Sequence, residues 1–165
     1  MAIIYNEEKK VFNLETEYST YQMKVGEFGF LLHLYYGERL EEDSDLSYLI
    51  QRADRGFSGN PYEARYDRTF SLDYFPQEYS CFGNGDYRAD SIQTVHADGS
   101  NVTDLRYKSH KIYPGKYRLP GLPAMFWEEE EGDSLEITME DPVTGVQVVL
   151  YYGVLEKGDV ITRSV

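Results

Sequence analysis

The chain has 165 residues, enough for one domain with a substantial core. Its formal net charge of −13 argues against nucleic acid and against an anionic membrane surface as partners, because both require a basic face. The lone cysteine, Cys81, leaves no internal disulfide and no cysteine-built zinc site.

From the N-terminus, Met1–Lys10 carries an apolar run too short for a secretion leader, and acidic residues follow at once. No stretch approaches the ~20 apolar residues of a membrane helix, and a cytoplasmic location is expected. A weak strand is predicted over Val11–Thr16. Ser19–Val25 alternates Tyr21, Met23 and Val25 against Thr20, Gln22 and Lys24. Gly26–Gly29 turns the chain, and Phe30–Tyr36 returns to close a hairpin. That second strand is apolar on both faces, which predicts a central position. Tyr48–Arg52 has room for one helical turn, and no longer helix is predicted.

Weaker strands are predicted over Arg68–Tyr74, Ser91–His96 and Val102–Tyr113, the last two joined by a turn at Asp98-Gly99-Ser100. In the C-terminal part, Leu135, Ile137 and Met139 alternate with Glu136, Thr138 and Glu140. Asp141–Gly145 turns, Val146–Leu155 runs back, Lys157–Asp159 turns again, and Val160–Val165 starts another strand. Short strands at this spacing, with Gly and Pro between them, predict an all-β fold, a large two-sheet β-sandwich.

Chemistry-bearing residues are sparse. His33, His96 and His110 form no metal-ligand pair, and His33 reads as a packed or hydrogen-bonded core residue. Gly83-Asn84-Gly85 lacks the strand-to-helix setting of a phosphate loop. No metal and no cofactor is expected. The acidic runs Glu38–Asp45 and Glu128–Glu131 read as solvated loops, since adjacent carboxylates on an extended chain point apart.

Two loops are richer. Arg52–Arg68 holds four of the nine arginines of an acidic chain, interleaved with Asp54, Phe57, Tyr62, Tyr66 and Asp67. Planar guanidinium donors, carboxylate acceptors and rings suit sugar hydroxyls or a subunit interface. A long loop tied down by its own ion pairs explains the same residues. In Pro76–Asp90, Asp86 and Arg88 flank Tyr87 behind a Gly-Asn-Gly turn, which is either a structural turn or a ligand loop.

The wording of the chain resembles the N-terminal domain of bacterial glycoside hydrolase family 36 α-galactosidases. The matching segments are Leu31-Leu32-His33-Leu34-Tyr35-Tyr36-Gly37, Pro76-Gln77-Glu78-Tyr79, Gly83-Asn84-Gly85-Asp86-Tyr87-Arg88, Val102–His110, Leu119-Pro120-Gly121-Leu122-Pro123-Ala124 and Val160–Ser164. The resemblance implies a β-supersandwich like that of galactose mutarotase. It implies a parent enzyme that hydrolyses terminal α-galactosides, such as those of melibiose and raffinose, with retention. Both catalytic aspartates of that family sit on a (β/α)₈ barrel that follows this domain, so no catalytic residue is expected here and the chain alone is expected to be inactive.

The resemblance further implies a homotetramer in which a loop of this domain reaches a neighbouring active site. Asp54, Arg55 and Arg65 are the polar contacts it suggests. It also implies that the strand beginning at Val160 continues beyond Val165, leaving the sandwich incomplete at its C-terminal end. The alternatives are a free-standing carbohydrate-binding module and, by fold analogy alone, a mutarotase-like epimerase.

Overall fold

The computed structural model describes residues 2–41, 44–54, 60–123 and 132–165. Among them, eight strands form two four-stranded antiparallel meanders. The first sheet is β1 (Ile3–Asn6), β2 (Val11–Glu15), β3 (Ser19–Val25) and β4 (Leu31–Glu38), in chain order. The second is β5 (Arg106–Pro114), β6 (Gly132–Glu140), β7 (Gln147–Leu155) and β8 (Val160–Ser164), again in chain order. The expected all-β two-sheet sandwich is the fold of the chain.

The period-two segments make the sheets. On β6, Leu135, Ile137 and Met139 are buried, and on β7 Val148, Leu150, Tyr152 and Val154 join them. The facing sheet supplies Ile3, Phe12, Leu14, Met23, Val25 and Leu31, so one apolar core lies between the two sheets. Burial of this alternating face sets the register, because a slip by one residue would expose the whole set. Turn chemistry agrees with it. The Asp141 carboxylate accepts the N–H groups of Val143 (2.8 Å) and Thr144 (3.3 Å), and Gly145 takes the left-handed backbone that closes the β6–β7 hairpin. On β4 the pairing with β3 skips Leu34, a bulge that changes the pleat between His33 and Tyr35.

Several local expectations are corrected. Ile3–Asn6, which carries too few residues to announce itself, is a strand because β2 pairs with it from Ile3–Leu14 to Asn6–Val11. Arg68–Tyr74 is not a strand but a series of turns, in which both Tyr74 and Phe75 donate their N–H to the Ser71 carbonyl at 3.1 Å. Its alternating Phe70 and Leu72 are buried instead in a second, smaller core with Phe30, Leu32, Ala64 and Phe75 on the outer side of β4. Ser91–His96 makes only a single bridge, Ile92 to Cys81. The turn at residues 98–100 forms, with Gly99 N–H on the His96 carbonyl at 2.9 Å, but no ladder extends from it. The strand expected from Val102 begins at Arg106, and the helical turn is the 3₁₀ segment Ser47–Leu49.

The described residues between β4 and β5 therefore join the two sheets without a sheet of their own. Part of this segment drapes over the outer face of the first sheet. Gln22, fully buried on that face, donates to the Ser44 carbonyl (2.9 Å) and accepts the Leu46 N–H (2.9 Å), while Lys24 reaches the Ser47 hydroxyl (2.6 Å).

Candidate functional site

Three polar centres hold the connecting segment in place. The first is Glu78. Its backbone N–H donates to Leu31 at 2.9 Å, and Leu32 and Gln77 form an isolated bridge, which lays residues 76–78 along β4. The carboxylate is thereby directed inward and is closed to solvent. It accepts hydroxyl hydrogen bonds from Tyr21 (2.7 and 2.8 Å) on the first sheet and Tyr152 (2.7 Å) on the second, and it pairs with Arg163 of β8 at 3.0 Å. Burial, followed by the adjacent Glu78 charge, pushes both phenols far above the ordinary tyrosine range. His33 Nδ1 lies 3.6 Å from Glu78 and has no hydrogen-bond partner. His33 is thus half-buried against Tyr21, with ring centroids 4.8 Å apart, rather than fully inside the core.

The second centre is Asp86 with Arg88. Arg88 Nε and Nη2 fork onto the buried Asp86 carboxylate at 2.9 and 2.8 Å. The same guanidinium reaches the Leu72 (2.9 Å) and Phe75 (2.7 Å) carbonyls, and Gln77 donates to Asp86 at 2.7 Å. Burial acts to raise the Asp86 pKa, but the Arg88 bonds outweigh it and hold the carboxyl below the usual carboxylate range. These two residues therefore serve the turn, while Tyr87 between them is 78% exposed.

The third is Arg106. Its guanidinium stacks 3.8 Å above the Phe30 ring, forks onto Asp104 (2.9 and 2.6 Å), donates to the Phe28 carbonyl (2.7 Å) and lies 3.7 Å from Glu63. The last contact ties the arginine-rich loop to the second sheet.

Within that loop, Arg52 bridges Glu27 and Asp67 and covers Phe70, and Arg68 pairs with Asp54 at 3.1 Å. Asp67 also accepts the Thr69 hydroxyl (2.6 Å) and N–H (3.0 Å), which with Arg52 lowers its pKa. The internally tied loop is thus what its ion pairs build. Of the residues suggested by resemblance, Asp54 is engaged with Arg68, Arg65 is exposed with a left-handed backbone (φ 49°), and Arg55 lies outside the described residues. Phe57 and Glu128–Glu131 lie outside them as well. A non-glycine residue in that backbone region is held by its surroundings at a cost of about 1–3 kcal/mol.

The two loops singled out by sequence converge. Asn60–Glu63 of the first and Gly83–Gly85 with Tyr87 of the second line one open hollow of about 520 Å³, completed by Asp104, Arg106 and the Pro142–Val143 turn. Gly83 is required there: its φ is +96°, and a Cβ would meet Val102 at 2.8 Å. Among the described residues, no group of three or more His, Cys, Asp or Glu is placed to hold a metal ion, and no helix is long and apolar enough to cross a membrane.

Fold and site together define a β-sandwich domain whose buried charges pin its connections and whose connecting loops present exposed tyrosines such as Tyr62, Tyr66 and Tyr87. The family model of the glycosyl hydrolase family 36 N-terminal domain matches residues 29–165, and the chain belongs to that family. The bifunctional α-galactosidase/sucrose kinase AgaSK of Mediterraneibacter gnavus is 54% identical over 165 residues, which is 100% of this chain and 17% of that protein. The solved galactosidase domain of AgaSK superposes with a TM-score of 0.94 at 53% identity, over 98% of this chain and 22% of that one. A variant of the α-galactosidase AgaA from Geobacillus stearothermophilus, in complex with raffinose, superposes at 0.87 with 46% identity, over 94% of this chain and 21% of that one. The chain thus spans about a fifth of the length of the relatives it matches.

In the sequence, Glu78 lies within Pro76-Gln77-Glu78-Tyr79 with no local mark of its own role. An acidic residue between a glutamine and a tyrosine is too common a pattern to select it.

Proposed function

We propose that this chain is the non-catalytic N-terminal domain of an α-galactosidase that hydrolyses terminal α-galactosides of the melibiose and raffinose type. The observation that carries the reading is the end-to-end match to α-galactosidases of which the chain occupies about a fifth. In this reading the catalytic (β/α)₈ barrel belongs to the same parent chain, and the sandwich packs against it. The parent is a cytoplasmic homotetramer, and Asp54, Arg55 and Arg65 contribute to the rim of a substrate site. The exposure of Arg65 supports that role, since a rim contact must be free to meet another surface.

Hydrolysis of a nitrophenyl α-galactoside tests the reading. The 165-residue chain is expected to show no turnover and the full-length parent to show it; turnover that tracks the purified chain would overturn the non-catalytic assignment. For the rim, Arg65→Ala in the parent is expected to lower kcat/KM for raffinose about tenfold, roughly 1.4 kcal/mol of transition-state stabilisation. Unchanged kinetics with an intact tetramer remove Arg65 from the site.

A further inference from the structure

We propose that Asn84 is a site of spontaneous deamidation: the Gly85 peptide nitrogen displaces its side-chain amide, and the carboxylate that results weakens the turn. The chain holds five asparagines, Asn6, Asn13, Asn60, Asn84 and Asn101, and Asn84 alone precedes a glycine. A side chain on the attacking residue obstructs approach of its nitrogen to the amide carbon. Glycine carries none, and its backbone is the freest to reach the attacking geometry.

The fold leaves both reacting groups loose. The Gly85 N–H has no hydrogen-bond partner among the described residues. The Asn84 NH₂, which is the leaving group, donates to Cys81 Sγ at 3.4 Å, a weak acceptor, and Oδ1 has no partner. Both residues line the open hollow, which admits water. The other positions are closed by their own contacts. Asn13 Oδ1 accepts Gln22 at 2.7 Å within the first sheet, and Asn6 Oδ1 accepts the Lys9 N–H at 2.9 Å. Asn60 precedes Pro61, whose nitrogen has no hydrogen, and Asn101 precedes the β-branched Val102. Asp98-Gly99 is the informative contrast. There the Gly99 N–H is tied to the His96 carbonyl at 2.9 Å, and the Ser100 N–H holds the Asp98 carboxyl below the usual carboxylate range, in the ionised form that has no leaving group to lose.

The reaction balances with water as its only co-reactant. The bond from Gly85 N to Asn84 Cγ forms as the Cγ–Nδ2 bond breaks, and the Gly85 amide proton leaves with Nδ2 as ammonia. Water then opens the cyclic imide at either carbonyl, giving aspartate, or isoaspartate with the main chain rerouted through Cβ. Nothing is oxidised or reduced. Aspartate places a charge where a buried, unpaired oxygen now sits, next to a Cys81 thiol that burial above all pushes up to about 11, with Asp104 and Asp141 adding to the effect. Burial penalises the new charge as well. Isoaspartate lengthens the main chain just ahead of Asp86, and so loosens the Asp86–Arg88 clamp that holds the Leu72 and Phe75 carbonyls.

The test is incubation of the folded 165-residue chain in mildly alkaline, isotope-labelled water, followed by peptide mapping. Asn84 is expected to convert to labelled aspartate and isoaspartate about tenfold faster than Asn6, Asn13, Asn60 or Asn101. Asn84→Gln, whose longer side chain must close a larger ring, is expected to stay unmodified under the same conditions. Asn84→Asp, which supplies the product charge directly, is expected to lower the melting temperature by about 2–4 °C. Three results would each overturn the proposal: an Asn84 that persists in the folded chain while the urea-unfolded chain converts it, conversion no faster than at the other asparagines, or an Asn84→Asp melt equal to that of the parent chain.

Discussion

The paired sheets and the segment between them reach order by different routes. In the sheets, backbone ladders satisfy the polar main chain and an alternating apolar face fills the gap between the layers. From β5 to β8, nearly every residue of a strand has a partner across the ladder. The described residues between β4 and β5 have almost no ladder, and side chains do that work. Gln22 and Lys24 hold residues 44–47, Arg88 holds the Leu72 and Phe75 carbonyls, and Arg106 holds Phe28. A region without regular structure stays ordered here because charged and amide groups take over hydrogen bonds that a sheet would have made. Those same pins leave Tyr62 and Tyr87 projecting from a fixed backbone.

Removing the pin shared by both regions should have the largest effect. Glu78→Ala leaves the buried Tyr152 and half-buried Tyr21 hydroxyls without their acceptor and takes the carboxylate from Arg163, which keeps the residue-78 carbonyl, and chemical denaturation should show a loss of about 3–5 kcal/mol, at ~1–3 kcal/mol for each group left unsatisfied. A loss under about 1 kcal/mol would mean that the sheets hold together without it. A purely apolar cut comes next. Leu150→Ala, at a fully buried position of the inter-sheet core, is expected to cost about 2–5 kcal/mol, with hydrogen exchange rising in both sheets together. If only one sheet loosens, the sandwich is two stability units rather than one.

The smallest and most local effect belongs to Asp86. Its folded pKa lies below the ordinary value of 3.8, so its contribution to stability is present above that value and is lost as pH falls through the folded one. Asp86→Asn should cost about 1–3 kcal/mol at neutral pH and flatten the acid limb of the stability profile. An acid limb identical to that of the parent chain would show that other carboxylates dominate it.

The β3–β4 hairpin and the β6–β8 meander were legible because their signal is local: a period of two, a turn, and the period again. Met23 and Val25, or Ile137 and Met139, declare their buried face from their immediate neighbours. The same signal misled at Arg68–Tyr74, where Phe70 and Leu72 alternate yet pack into the small core on β4. Periodicity reports which side chains are buried, not whether a partner strand exists. Ile3–Asn6 shows the converse, a strand made by its partner rather than by its own pattern.

The site divides along the same line. The composition of the two loops marked them, and the ion pairs within Arg52–Arg68 follow from charges close in sequence. What the sequence by itself determined was the all-β class, the hairpin over Ser19–Tyr36, the three-strand C-terminal meander and the segments rich in polar and aromatic groups. The tertiary structure alone decided that Glu78 is shared by Tyr21 and Tyr152, residues 57 and 74 positions away. It alone decided that Asn60 and Asn84 line one hollow. The physical reason is range. Alternation and turns are set by neighbours a few residues apart, whereas a buried carboxylate finds its partners only when separate strands and a connection without a ladder come together.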